Sequence, residues 1–380
     1  MKKQHYIYAD NAATTQLAPE ALKAMMPFLT EDYGNASGAY SFSRSARKAL
    51  KESRETIASC IGATPEEIFF TSGGTECDNW VIKGHIPLGR IVTSKIEHHA
   101  ILNSLGYTAF FSHGAAKLLP VDEKGVVSHS FLEAALSRKT SLVSIMLANN
   151  EIGTIEPVKE LAYIAHQKGV KFHTDAVQAV GHIPIDINEL GVDLLSASAH
   201  KFRGPKGIGF LFCRKDTPLT SFMNGGQQEY GLRSGTENIA SIVGMATALM
   251  NCCENMKETT CKLNKMVSVF KEMIEDAIPE AVFNGDACNR LPGHISLSIP
   301  GINGEGLLHF LDLKGIAVST GAACNSKSTQ VSHVLRAIRL PVSLAKGTIR
   351  ISLGANNKNE DVPIIAKSII EYCAKIKKNT

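Results

Sequence analysis

The chain has 380 residues, 44% hydrophobic and 20% charged, with a formal net charge of +4. That balance excludes a disordered or fibrous protein and suits a globular chain of two or three lobes. Lys and Arg are dispersed and no apolar run approaches the ~20 residues that cross a bilayer, so no DNA or membrane partner is called for and a cytoplasmic protein is expected.

The first ten residues carry Lys2 and Lys3 with no apolar stretch behind them, which is not a secretory signal. From Pro65 to Cys213 short β-branched runs alternate with helical patterns. Strands are predicted at 68–70, 90–92, 142–146, 170–173, 194–196 and 208–212. The spacing of Val158, Leu161, Ala162, Ile164 and Ala165 predicts a helix between Pro157 and Lys168. This alternation predicts an α/β domain with a largely parallel sheet. After Thr236 the texture changes: 239–270 reads as one long helix or two, and 294–299 alternates as a half-buried strand does. Residues 304–313, 332–338 and 360–375 read as helices. The expected division is a large domain over 15–255 and a smaller α+β domain made of 1–14 with 256–380.

Ligands of such sheets gather at the carboxyl ends of the strands, and polar clusters stand at those ends here. The run 72–76, Ser-Gly-Gly-Thr-Glu, offers a helix N-terminus and glycines that let an anion approach; a capping box with a tight turn is the bland alternative. It lacks the lysine of a triphosphate-binding loop. Asp175 follows a strand and could pair with a pyridinium nitrogen, with Gln178 at the neighbouring phenolic oxygen, or could simply cap a helix. Lys201, after Ser198 and His200, is an amine suited to a Schiff base; alone it would read as a surface charge. His98 and His99 are adjacent, and on a strand they would point to opposite faces, so no metal is expected and His99 reads as structural. The nine cysteines are odd in number and contain no C-x-x-C pair, which argues against a disulfide framework and a zinc site. Eight of them read as small buried hydrophobes.

In this order the motifs resemble the cysteine desulfurases, pyridoxal-phosphate enzymes of the aspartate-aminotransferase fold (fold type I). The resemblance rests on Asp175-x-x-Gln178 followed by Ser198-Ala199-His200-Lys201, and on Asn149-Asn150-Glu151-Ile152-Gly153. Further matches are 8–15, 71–76, Glu97-His98, 225–227, Leu232-Arg233-Ser234-Gly235-Thr236 and 348–354, so it spans nearly the whole chain. It implies that Lys201 holds pyridoxal 5'-phosphate and moves the substrate's Cα proton. Asp175 would pair with the ring nitrogen, Gln178 and Asn150 would contact the ring-oxygen side, and His98 would stack on the ring. Gly74, Thr75, Ser198 and His200 would bind the phosphate, joined by Thr236 of a second subunit in a homodimer. Arg350, with Asn150, would hold the substrate carboxylate.

The same resemblance gives Cys324 its role. It sits among small residues, Gly321-Ala322-Ala323-Cys324-Asn325-Ser326, which reads as an exposed mobile loop. A thiolate there would take the sulfur of L-cysteine as a persulfide, release L-alanine, and pass the sulfur to an acceptor such as an iron–sulfur scaffold or a thiolation enzyme. Ala322 and Asn325 depart from the family's loop pattern, as do residues 34–38, Tyr40 and Lys346. The rival readings are a selenocysteine lyase or aminotransferase of the same fold, and a sulfur carrier with little turnover of its own.

Overall fold

The computed structural model describes residues 6–108, 116–320 and 331–378. The chain opens with a short strand, β1 (Ile7–Tyr8), and two helices, α1 (Pro19–Thr30) and α2 (Arg44–Ile61). Alternation follows: β2 (Ile68–Thr71), α3 (Gly74–His85), β3 (Arg90–Ser94), α4 (His99–Thr108) and β4 (Ala116–Leu119). It continues through α5 (His129–Ala135), β5 (Thr140–Ser144), α6 (Val158–Gln167) and β6 (Lys171–Asp175). The stretch closes with α7 (Ile187–Leu190), β7 (Leu194–Ser198) and β8 (Gly209–Cys213).

These strands form one seven-stranded sheet in the order β2-β8-β7-β6-β5-β3-β4. Only β8 runs against its neighbours; the remaining pairs are parallel. The strands are almost continuously apolar because both faces are covered. Phe70, Val92 and Val143 pack into the core under α1, α2, α6 and the later helix Ile239–Glu254, whereas Phe69, Ile91 and Leu142 pack into a second core with α3 and α4. That alternation is the two-residue period of a strand. The edge strand β4 escaped sequence prediction because three of its four residues are exposed, which leaves no apolar run to detect.

The long helical stretch is two helices, α8 (Ile239–Glu254) and α9 (Met256–Ala277), broken at Asn255, whose φ −98°, ψ 5° is not helical. Next come β9 (Val282–Phe283), β10 (His294–Ser298), α10 (Gly304–Leu313) and β11 (Ile316–Ala317). The chain ends through α11 (His333–Ala337), α12 (Val342–Ala345), β12 (Thr348–Ser352) and α13 (Asp361–Lys378). A small antiparallel sheet, β12-β10-β9, has its own core with α9, α10 and α13, to which Ile7 and Ala9 contribute, and β1 pairs with β11.

One expectation is corrected here: β10 is buried on both faces, not half-buried. Its alternating polar residues are satisfied internally. Asn284 donates to Ser296 and Ser298 (3.1 and 2.8 Å), and Ser298 meets Thr348 at 2.6 Å. Polar residues in a strand mark hydrogen-bonding partners as readily as solvent.

Candidate active site

The strands β2, β3, β5, β6 and β7 all point their carboxyl ends to one edge of the sheet, and a cavity of ≈ 650 Å³ lies there. It is lined from β6 by Asp175, from β7 by Ser198, and from the following turn by His200 and Lys201. His98 and Asn150 come from the loops after β3 and β5, and Arg350 comes from β12.

Two glycines shape the turn into α3. Gly73 has φ +148°, where side chains are strained, and a Cβ on Gly74 would lie 2.4 Å from Val177. The Ser72 amide donates to Glu76 (2.7 Å), whose carboxylate also takes the Arg233 guanidinium at 2.8 and 3.1 Å. The arrangement is therefore not a capping box: Gly73 is the cap, and Glu76 braces the turn so that the α3 N-terminus, with Gly74 and Thr75, borders the cavity.

Asp175 is buried and accepts from the Val177 amide at 2.9 Å; it turns the chain and caps no helix. Burial pushes its carboxyl up, while His98 and Lys201 pull it back down. Beside it, α3 places a second buried carboxyl, Asp78, whose Oδ1 has no hydrogen-bond partner and whose pKa burial and the Asp175 charge drive well above the usual range. Sequence reasoning passed over Asp78 because a lone Asp in a helix carries no signal.

His98 and His99 do not sit on a strand: His99 opens α4 and both rings line the cavity. Nδ1 of His98 accepts from the Ala100 amide at 3.1 Å, and burial pushes the ring below its ordinary pKa. A neutral His98 therefore carries its proton on Nε2. His99 stands edge-on to His333 at 4.7 Å, and His333 Nε2 meets the Glu97 carbonyl at 3.0 Å. Among the described residues no group of three His, Cys, Asp or Glu is placed to hold a metal.

Lys201 Nζ donates to the carbonyls of Ala12 and Ala13 (2.6 and 2.9 Å), and Gln178 also donates to Ala12 (2.9 Å). The amino-terminal segment is thus a wall of the site, invisible in sequence because its main chain makes the contacts. His200 meets Thr14 Oγ1 at 3.1 Å; burial and the charges of Lys201 and Lys206 push its pKa down to about 4.

Arg350 is buried in β12. It donates to the Asn150 carbonyl (3.0 Å) and pairs with Asp10 (2.7 Å), and its Nε has no hydrogen-bond partner. Its main chain exchanges two hydrogen bonds with Ser319, at 3.0 and 2.6 Å. Glu151, also lining the cavity, accepts from Ser332 Oγ at 2.5 Å; burial raises its carboxyl to about 7. Residues on both sides of 321–330 are therefore bonded to residues of the cavity. Cys324 itself lies outside the described residues. Thr236 is exposed and is not among the residues lining this chain's cavity.

Among the described residues no helix is long and apolar enough to cross a membrane. The aminotransferase class-V family model matches residues 7–365. A cysteine desulfurase IscS of Clostridium botulinum is 47% identical over 374 residues, covering 96% of this chain and 93% of that protein. The fold is similar to that of a NifS-like protein (38% identity, TM-score 0.92, 97% and 100% of the two chains). It is also similar to SspA solved in complex with cysteine (34% identity, TM-score 0.80, 91% and 98%).

Proposed function

The chain belongs to the class-V aminotransferases and, among them, to the cysteine desulfurases; from that premise we propose that it uses pyridoxal phosphate to move sulfur from L-cysteine onto Cys324. One observation carries the residue assignment. Lys201, Asp175 and Arg350 converge on a single cavity, and the chain on either side of 321–330 is bonded to that cavity at Arg350 and Glu151.

The residues present fit the cofactor. The buried carboxyls Asp175 and Asp78, one with an unpartnered oxygen, suit a cationic ring nitrogen. The braced α3 N-terminus with Gly74, Thr75, Ser198 and His200 suits a phosphate. Gln178 and Asn150 would face the ring oxygen, His98 the ring, and Lys201 would hold the aldehyde carbon. When bound, pyridoxal phosphate supplies a sink for the electrons released at the substrate's Cα.

The protein's own groups do the rest. Arg350 grips the substrate carboxylate, with the Asn150 and Asp10 contacts fixing the fork. Lys201 Nζ carries the proton taken from Cα. The Cys324 thiolate then attacks the substrate sulfur: the S–S bond forms, the C–S bond breaks, and its electron pair stays on carbon, which takes a proton and leaves as alanine. The balance is one thiol and one L-cysteine giving one persulfide and one L-alanine.

In this reading the protein is a cytoplasmic homodimer, with Thr236 entering the partner's cavity and the sulfur passing to an iron–sulfur scaffold or a thiolation enzyme. The bodies in this reading are 15–255, holding the cofactor, and 1–14 with 256–380, carrying Cys324; the separate core of the small sheet supports that division, although Val334, Leu335, Ile338 and Ala345 pack into the core of the large sheet. The test is alanine formation from L-cysteine with dithiothreitol, by wild type and Cys324→Ala side by side. Multiple turnovers by the wild type alone are expected, and equal rates in the two proteins would overturn the role of Cys324.

A further inference from the structure

Away from the cavity the cysteines do not form the one buried set that the sequence suggested: Cys77, Cys213 and Cys373 are buried, Cys60, Cys252 and Cys253 half-buried, and Cys261 and Cys288 exposed. The notable buried contact there is ionic. Arg54 of α2 and Glu229 form a two-pronged pair, Nη1 to Oε2 at 2.8 Å and Nη2 to Oε1 at 2.7 Å, with side chains only 12% and 3% exposed. The pair covers the free edge of β2, the outermost strand of the large sheet. Glu229 accepts from the Phe70 amide at 2.9 Å and Arg54 donates to the Ile68 carbonyl, so main-chain groups on that edge are satisfied by side chains.

Glu229 is held there at a conformational cost. Among the described residues five besides glycine have positive φ, and only Glu229 (φ 45°, ψ 49°) and Tyr230 (φ 59°, ψ 28°) are adjacent. Left-handed backbone is disfavoured for any residue with a Cβ and persists where surrounding contacts over-determine it. Here they do: the Tyr230 ring stands edge-on to Phe69 at 5.7 Å, and the Arg54 guanidinium lies 4.5 Å over the Phe70 ring. Past this turn, Arg233 holds the Glu76 carboxylate at 2.8 and 3.1 Å. One short loop therefore grips the chain at Phe70 and again at Glu76, on either side of the 72–75 turn that borders the cavity.

We propose that Glu229 and Arg233 are positioning residues, gripping the 72–75 turn from both ends so that its amides are preset for the cofactor's phosphate. This role rests on the reading that the turn receives the phosphate. A buried ion pair is often no more stabilising than apolar side chains of the same size, and two strained residues subtract from it. Stability alone therefore gives little reason for the arrangement. A turn whose main-chain donors must face an anion does gain from such a frame, because donors fixed in advance need no ordering on binding. Neither residue lines the cavity; Glu229 acts through Phe70, and Arg233 through Glu76.

The test compares full-length wild type, Arg233→Lys, and a double variant, Arg54→Met with Glu229→Ala, which removes both charges together and strands neither. Dissociation constants for pyridoxal phosphate and for pyridoxal, which lacks the phosphate, are read from the absorbance of the ring bound at Lys201. The assay temperature is set below the melting temperature of each protein. Both variants should bind pyridoxal phosphate more weakly, by on the order of tenfold, with the constant for pyridoxal unchanged. Equal losses for the two ligands would mean general support of the fold and would overturn the proposal, as would unchanged pyridoxal phosphate binding in either variant. If the double variant does not fold, Arg233→Lys decides, since that side chain is partly exposed and lysine keeps its charge. A wild type that binds neither ligand would instead remove the cofactor reading itself.

Discussion

Arg350 reaches the cavity with two of its three nitrogens engaged, by Asn150 and Asp10, and the third unpartnered. A lysine in its place keeps the charge but cannot hold both partners and a carboxylate in one plane. Arg350→Lys should weaken L-cysteine binding by on the order of ten- to a hundredfold, the equivalent of about 1.5–3 kcal/mol for a charge-assisted bond. A KM rise in steady-state assays checks this, and an unchanged KM would remove Arg350 from the substrate site. The motif around Arg350 was legible in the sequence. Its anchor Asp10, and Asp78 beside Asp175, were not, because their importance comes from packing beside other charges, which no local pattern encodes.

At the scale of elements, α11 shows how a short helix can serve a site. Ser332 caps it, accepting from the Val334 and Leu335 amides, and donates its own proton to Glu151. Ser332→Ala removes both contacts, and loss of the cap costs about 1 kcal/mol. Because Ser332 closes the segment containing Cys324, the expected effect is a fall in kcat on the order of ten- to a hundredfold with KM nearly unchanged, since Arg350 is untouched. Equal changes in kcat and KM would mean that Ser332 supports the cavity wall alone. Helix and strand positions in the large sheet were predictable from β-branched runs and helical spacing. The direction of β8 and the existence of β4 were not: one depends on where the chain returns, the other on an edge with little apolar surface.

Across the molecule, buried titratable groups couple folding to pH. His173 lies in the middle of the sheet, between Ser144 and Ser196 at 2.9 Å each, and burial pushes its pKa down to about 3. The folded state thus holds it neutral, whereas the unfolded chain binds a proton below its ordinary value of 6.5. Stability from this group is fully present above pH 6.5 and is lost as pH falls toward 3. Relative to wild type, His173→Gln should gain about 1.4 kcal/mol per pH unit on acidification through that window. Denaturant melts at several pH values read the difference, and a pH-independent offset would show that His173 titrates alike in both states.

The sequence by itself determined the alternation of strand and helix, because apolar periodicity is a local property of neighbouring residues, and its motifs carried the resemblance on which the proposed site rests. Only the tertiary structure decided which distant groups share an environment. It brought Ala12 to Lys201 and Ser332 to Glu151. Burial and charge depend on what packs around a group, so cysteines and carboxyls that read alike in the chain diverge in the fold.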